Sequence, residues 1–119
     1  MAEPAPYLVV DIGKTLSKVT AWTRDGRMVD REVRPNAVRV QGAARRLDVS
    51  GIGAWLRETL ARFADRSVEA IVPVAHGAGV AALGGEDLLF APLDYEQAIP
   101  DAILAEYRSL RDPFAITGS

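Results

Sequence analysis

Val9–Val29, VVDIGKTLSKVTAWTRDGRMV, is the stretch that decides the fold. It begins inside a short apolar, β-branched run, Tyr7 to Ile12, which ends in an acidic residue and a glycine. A buried strand that delivers a functional side chain at its end reads this way. Beyond Gly13, Ser17 to Thr23 alternates polar with apolar residues, the period of a half-buried strand. Arg24-Asp25-Gly26-Arg27 then supplies hairpin-turn chemistry before Met28 to Val33 resumes. Three consecutive antiparallel strands follow from this reading.

Outward from that stretch, Pro35 to Leu47 is rich in arginine and small residues without a clear period, and reads as an irregular excursion carrying some extended structure. Asp48 or Ser50 can cap a helix running to about Ala64, with Ile52, Trp55, Leu56, Leu60 and Phe63 on one stripe. Val68 to Ala75 is again an apolar strand, and Pro73 argues that its end is irregular or lies where no ladder hydrogen bond is needed. Gly79 to Leu83 and Leu88 to Phe90 flank the turn Gly84-Gly85-Glu86-Asp87, predicting a further hairpin. Asp94 to Pro100 is loop-like, and Pro100 to Leu110 reads as a second amphipathic helix using Ile103, Leu104, Tyr107 and Leu110. Asp112 to Ser119 trails off without a closing strand or helix, as a polypeptide cut inside a larger architecture would.

Length and composition bound the rest. The 119 residues suit one domain, and a mix of 49% hydrophobic and 25% charged residues is that of an ordinary globular protein. A formal net charge of −2 offers no large basic surface, which argues against nucleic acid as a partner. The absence of cysteine excludes disulfides, thiolate catalysis and cysteine-bound zinc together. Met1 to Pro6 lacks the basic start and apolar run of a signal peptide, and no segment approaches the ~20 apolar residues of a membrane span, so a cytoplasmic chain is expected, with no membrane partner.

Three constellations carry chemistry. The first, Asp11-Ile12-Gly13-Lys14-Thr15-Leu16-Ser17-Lys18, lies between two strands. A glycine in such a turn lets backbone N–H groups approach a phosphate, hydroxyls add donors, and an adjacent carboxylate can hold a hydrated magnesium ion. It is not a P-loop, because only the Gly-Lys-Thr tail occurs and the first glycine of that pattern is missing. The second is His76-Gly77, at the end of the fourth apolar strand; His76 is the only histidine, and a lone histidine is ordinarily structural. The third is Asp94-Tyr95-Glu96, where carboxylates and a phenol suit a polyol, although a solvated acidic loop has the same composition. Asp94 and Glu96 are its strongest candidates.

The order strand, Asp-x-Gly-x-Thr turn, strand, Asp-Gly turn, strand resembles the phosphate-binding start of the actin-like ATPase superfamily. The run Val9–Val29 looks most like the opening of FGGY carbohydrate kinases. Their motif usually reads Asp-x-Gly-Thr-Thr/Ser-x-x-Lys; Asp11, Gly13, Thr15 and Lys18 match it, and Lys14 stands where threonine is common. The resemblance implies that Asp11 positions magnesium and water at the transferred phosphoryl group. It likewise implies that Gly13, Lys14, Thr15 and Lys18 serve ATP, and that His76, Gly77 and the Asp94-Tyr95-Glu96 segment reach the sugar. Pro73 replaces the glycine that usually precedes the histidine segment, so that match is partial.

The same resemblance implies a ribonuclease H-like α/β fold, with a mixed sheet that starts with three antiparallel strands and is flanked by helices. Residues 1–119 then form part of the N-terminal domain of a two-domain kinase that phosphorylates a ketose or polyol hydroxyl. The general base, a second phosphate motif and the adenosine pocket fall beyond this region, so the chain is expected to be inactive alone. Its partners are a small sugar and the missing C-terminal lobe, and the apolar surface bared by the missing lobe also offers a route to a homodimer. Two other readings fit the same residues: a non-catalytic sugar- or nucleotide-binding member of the superfamily, and a free-standing interaction module.

Overall fold

The computed structural model describes residues 3–118; Met1, Ala2 and Ser119, at the tips of the two terminal stretches read above, lie outside the described residues. In chain order the elements are β1 (Tyr7–Ile12), β2 (Leu16–Trp22), β3 (Met28–Pro35), β4 (Val38–Gln41), β5 (Ala44–Leu47), α1 (Val49–Arg62), β6 (Ala70–Ala75), β7 (Leu83–Gly84), β8 (Asp87–Leu88), α2 (Asp101–Leu110) and α3 (Phe114–Thr117). The principal sheet has the order β3-β2-β1-β6, in which β2 runs antiparallel to both β1 and β3 and β6 runs parallel to β1. The mixed α/β architecture opening on three antiparallel strands is therefore present. Gly26 makes the β2–β3 turn possible at φ 83°, a backbone region that side chains other than glycine rarely adopt.

The period-2 alternation of β1 and β2 sorts their side chains onto two faces. Leu8 opposes Ala21 and Val10 opposes Val19, and these four buried residues meet Phe63 after the end of α1, with Trp55, Leu56 and Leu60 of the helix packed against them. Burying each large apolar side chain of this kind stabilises by about 1.5–3 kcal/mol, which makes the α1 stripe the main attachment of helix to sheet. Asp11 and Lys18 oppose one another in the same register, on the face turned away from α1.

Asp48 starts α1. Its Oδ1 accepts the Gly51 N–H at 3.2 Å and Arg39 Nε at 2.8 Å, and its Oδ2 accepts Arg34 Nη2 at 2.7 Å. The Arg34 guanidinium is the first cause holding the Asp48 carboxyl below its ordinary value. A side chain at position 51 would overlap the Asp48 carboxylate and Arg34, so glycine is required there for close approach. Asp48→Ala removes the cap and leaves two guanidiniums without their carboxylate. It is expected to destabilise the protein by about 2 kcal/mol, read as a lower urea midpoint at unchanged m-value.

Several expectations need correction. The Pro35–Leu47 stretch is more regular than expected: Pro35 ends β3, paired with Leu16, Asn36 and Ala37 connect, and Val38–Leu47 is the β4–β5 hairpin turning at Gly42, φ 60°. The hairpin about Gly84–Asp87 exists but has two residues per arm, because Gly79–Ala82 and Leu89–Phe90 form no ladder. The end of the chain does not simply trail off, since Phe114–Thr117 forms one helical turn closed by Gly118 at φ 70°. The sheet is not flanked by several helices either; among the described residues only α1 packs on it. Helix α2 forms where its apolar spacing predicts, yet Ile103, Tyr107 and Leu110 of that stripe are exposed.

β6 is an edge strand, which explains how Pro73 is tolerated opposite Val10: one side of the strand needs no ladder donors. Ile71, Val72 and Val74 stay about half exposed on it, an unusual state for a parallel strand. The radius of gyration is 18.4 Å, where a compact chain of this length has about 13.5 Å. The molecule is thus extended, with much apolar surface uncovered.

Candidate functional site

The site lies at the end of the sheet where β1 and β6 both finish. Parallel pairing sets Ile12 beside Ala75, so the turn Gly13-Lys14-Thr15 and the segment His76-Gly77 leave the sheet side by side. The turn is tight: the Gly13 N–H donates to the Leu16 carbonyl at 2.9 Å, and a Cβ on Gly13 would sit 3.0 Å from that same oxygen. Asn36, just past β3, brackets it. Its backbone N–H donates to the Thr15 carbonyl and its Nδ2 to the Gly13 carbonyl, both at 2.8 Å, while its Oδ1 accepts Ser17 Oγ at 3.0 Å and Arg34 Nη1 at 3.1 Å. Through Arg34 the bracket continues to Asp48, so the turn and the start of α1 share one hydrogen-bonded frame.

The first and third constellations meet. Lys14 Nζ lies 2.6 Å from Glu96 Oε1 and 3.4 Å from Asp94 Oδ1, and 4.4 Å from the centre of the Tyr95 ring. The second constellation joins them through Tyr95, whose ring meets His76 edge-on at 5.8 Å between centroids. Gly77 borders open space, and Thr15 is exposed. Asp11 and Lys18 stand apart from this cluster as a pair of their own, Oδ2 to Nζ at 2.8 Å, each 35% exposed and therefore reachable by a ligand.

Strand β5 positions the acidic segment. The Leu47 N–H donates to the Pro92 carbonyl at 2.9 Å, the Asp94 N–H to the Arg45 carbonyl at 3.0 Å, and the Arg45 N–H to Gln97 Oε1 at 2.5 Å. Arg45 Nη2 is also 3.5 Å from Asp94 Oδ2. Asp94 is consequently buried, with Oδ1 accepting the Glu96 N–H at 3.0 Å, yet its Oδ2 has no hydrogen-bond partner among the described residues, and neither does the buried His76 Nδ1. Such atoms are costly unless a ligand or water completes them. Lys14 and His76 border a concavity of ≈ 190 Å³ with Ile12, Asn36 and Ile52, while Asp94 and Tyr95 border one of ≈ 510 Å³ walled by Val80, Phe90, Leu93 and Ile103.

Asn36 and Arg45 were missed by sequence reasoning. The signal for Arg45 was the Val38-Arg39-Val40-Gln41 alternation before Gly42-Ala43, a two-residue hairpin turn; nothing local marks Asn36.

Charge sets the pH range of the cluster. The Glu96 hydrogen bond is the first cause raising Lys14 above its ordinary 10.5, and the Glu96 N–H, followed by Lys14, is what holds Asp94 below its ordinary 3.8. A raised lysine stabilises below pH 10.5 and is lost as pH climbs through its folded value; a lowered aspartate stabilises above pH 3.8 and is lost as pH falls through its folded value. The urea midpoint should therefore hold its plateau between those limits and drop outside them. In Lys14→Met the alkaline drop should shrink.

Among solved structures the chain is similar to a carbohydrate kinase from Novosphingobium aromaticivorans, with 56% identity and a TM-score of 0.92 over 98% of this chain and 25% of that one. A xylulose kinase from Rhodospirillum rubrum aligns at 18% identity and TM-score 0.72 over 91% of this chain and 24% of that one. Plasmodium falciparum glycerol kinase, crystallised with ADP, aligns at 10% identity and TM-score 0.67 over 94% of this chain and 25% of that one. No protein-family model matches the chain, and no curated protein matches it.

The fold is accordingly that of carbohydrate kinases, and the chain spans about a quarter of the length of those it matches. The resemblance read from Val9–Val29 is borne out: over nearly its whole length the chain shares more than half its residues with the Novosphingobium kinase.

Proposed function

We propose that this chain is the N-terminal lobe of an ATP-dependent sugar kinase of the FGGY family and ribonuclease H-like fold, which phosphorylates a hydroxyl of a ketose or polyol and is inactive as this piece alone. The observation that carries the reading is the 56% identity to a carbohydrate kinase across 98% of the chain. The uncovered apolar strand β6 and the exposed stripe of α2 support a lobe that closes against the rest of the protein, with a homodimer as the competing occupant of the same surface. Among the described residues no helix is long and apolar enough to cross a membrane; a cytoplasmic location belongs to the same proposal.

Each part has a role. The tight Gly13 turn, with the backbone of Lys14 and the hydroxyl of Thr15, meets the ATP phosphates, and Lys18 neutralises charge beside them. Asp94, Tyr95, Glu96, His76 and Gly77 meet the sugar, where Asp94 Oδ2 and His76 Nδ1 are the buried atoms that hydroxyls would complete. Asp11 suits magnesium held through water. One carboxylate oxygen is engaged by Lys18, the other makes no hydrogen bond among the described residues, and a single carboxylate is enough where phosphates and waters supply the other ligands. When bound, the ion neutralises charge developing on the transferred phosphoryl group.

The test is a panel of D-xylulose, glycerol and gluconate, with ATP and magnesium, assayed by coupled ADP production. Turnover by the full-length protein and none by residues 1–119 is expected. Binding without ADP production would place the protein among non-catalytic members of the superfamily. Neither binding nor turnover, with a folded monomer of residues 1–119, would favour the interaction module.

A further inference from the structure

The side chain of Lys14 points away from the duty its place in the motif suggests. It follows Gly13, where a cation would sit over nucleotide phosphates, yet its side chain is only 15% exposed and its ammonium is engaged by Glu96, Asp94 and the face of Tyr95. From this arrangement we infer that Lys14 is a positioning residue for the sugar-contacting segment: its side chain orders Asp94-Tyr95-Glu96, while only its backbone serves the phosphate turn.

Three observations support it. The Asp94 side chain is fully buried, and a buried carboxylate needs a cation or several donors to remain charged. Arg45, the other cation near it, is 45% exposed and stands at 3.5 Å from Asp94 and 3.9 Å from Glu96, so Lys14 makes the closest charged contact to both. The backbone of the segment is fixed separately by β5, which leaves Lys14 to set the rotamers of the three side chains rather than the path of the chain. The threonine common at this position could span none of these contacts, because it lacks both the reach and the charge. Turn and segment are thereby tied across the mouth of the site.

The inference rests on the kinase reading, so its test has one readout that needs no substrate. Amide hydrogen exchange of the full-length protein measures protection at Glu96, whose N–H is held by Asp94 Oδ1. In Lys14→Thr that protection should fall about tenfold, ADP affinity by calorimetry should change less than about twofold, and KM for the panel sugar that turns over should rise about tenfold with kcat nearly kept. Lys14→Arg, which keeps charge and ring stacking, should restore KM to within about threefold, and Glu96→Gln should reproduce the loss of protection. An unchanged Glu96 amide with ADP binding weakened more than about fivefold would overturn the inference and return the side chain to the phosphates. If no panel compound is turned over, the kinase reading fails, while the exchange result still decides the role of Lys14.

Discussion

Asp11→Asn in the full-length protein is expected to lower kcat for sugar phosphorylation about 1,000-fold while KM for the sugar moves less than about threefold. The substitution is nearly isosteric and keeps an acceptor for Lys18, with which Asp11 is directly paired across β1 and β2. What it removes is the negative charge. In phosphoryl transfer there is little covalent work for side chains, so positioning and charge carry the rate, and a neutral amide holds a hydrated divalent ion poorly. Steady-state kinetics across a magnesium titration would check it. A loss under about tenfold would mean that Asp11 is the structural half of an ion pair and nothing more.

Asp94→Ala should act on the other substrate. Asp94 is 1% exposed and receives the Glu96 N–H, Lys14 and Arg45, so truncation strands two cations and frees the segment that carries Tyr95 and Glu96. We expect kcat/KM for the sugar to fall about 1,000-fold, most of it in KM, with ADP affinity within about threefold of wild type. Asp94→Asn, which keeps the shape and one acceptor, should recover part of the loss. Equal damage to ADP and sugar binding would show that the residue supports the lobe as a whole.

The sequence made the sheet easy to read and the site hard. β1 and β2 announce themselves through apolar, β-branched runs, the turn into β3 through Asp25-Gly26, and α1 through a stripe that packs on the core. The β4–β5 hairpin was obscured because its pattern is not driven by burial: Val40 is 68% exposed, and arginines fill the neighbouring positions. Its stability comes from bonds to residues 91–97, which no local period records. The same holds for the site. Lys14, His76 and Asp94–Glu96 were each visible as motifs, but their meeting depends on the parallel pairing of β1 with β6 and on that hidden hairpin. Asn36 has no motif at all; it matters because of what lies 23 residues before it.

The edge position of β6 has a consequence for biosynthesis. The β1–β2–β3 meander joins sequence neighbours and can close soon after those residues leave the ribosome, whereas β6 docks only after the whole of α1 has been made, because its partner is β1. From then on the nascent chain carries a strand with one open side and with Ile71, Val72 and Val74 bare. Such an edge accepts any strand that arrives, including the same edge of another copy. An uncovered β6 is therefore where this polypeptide is most exposed to misassembly, from the moment that strand docks on β1.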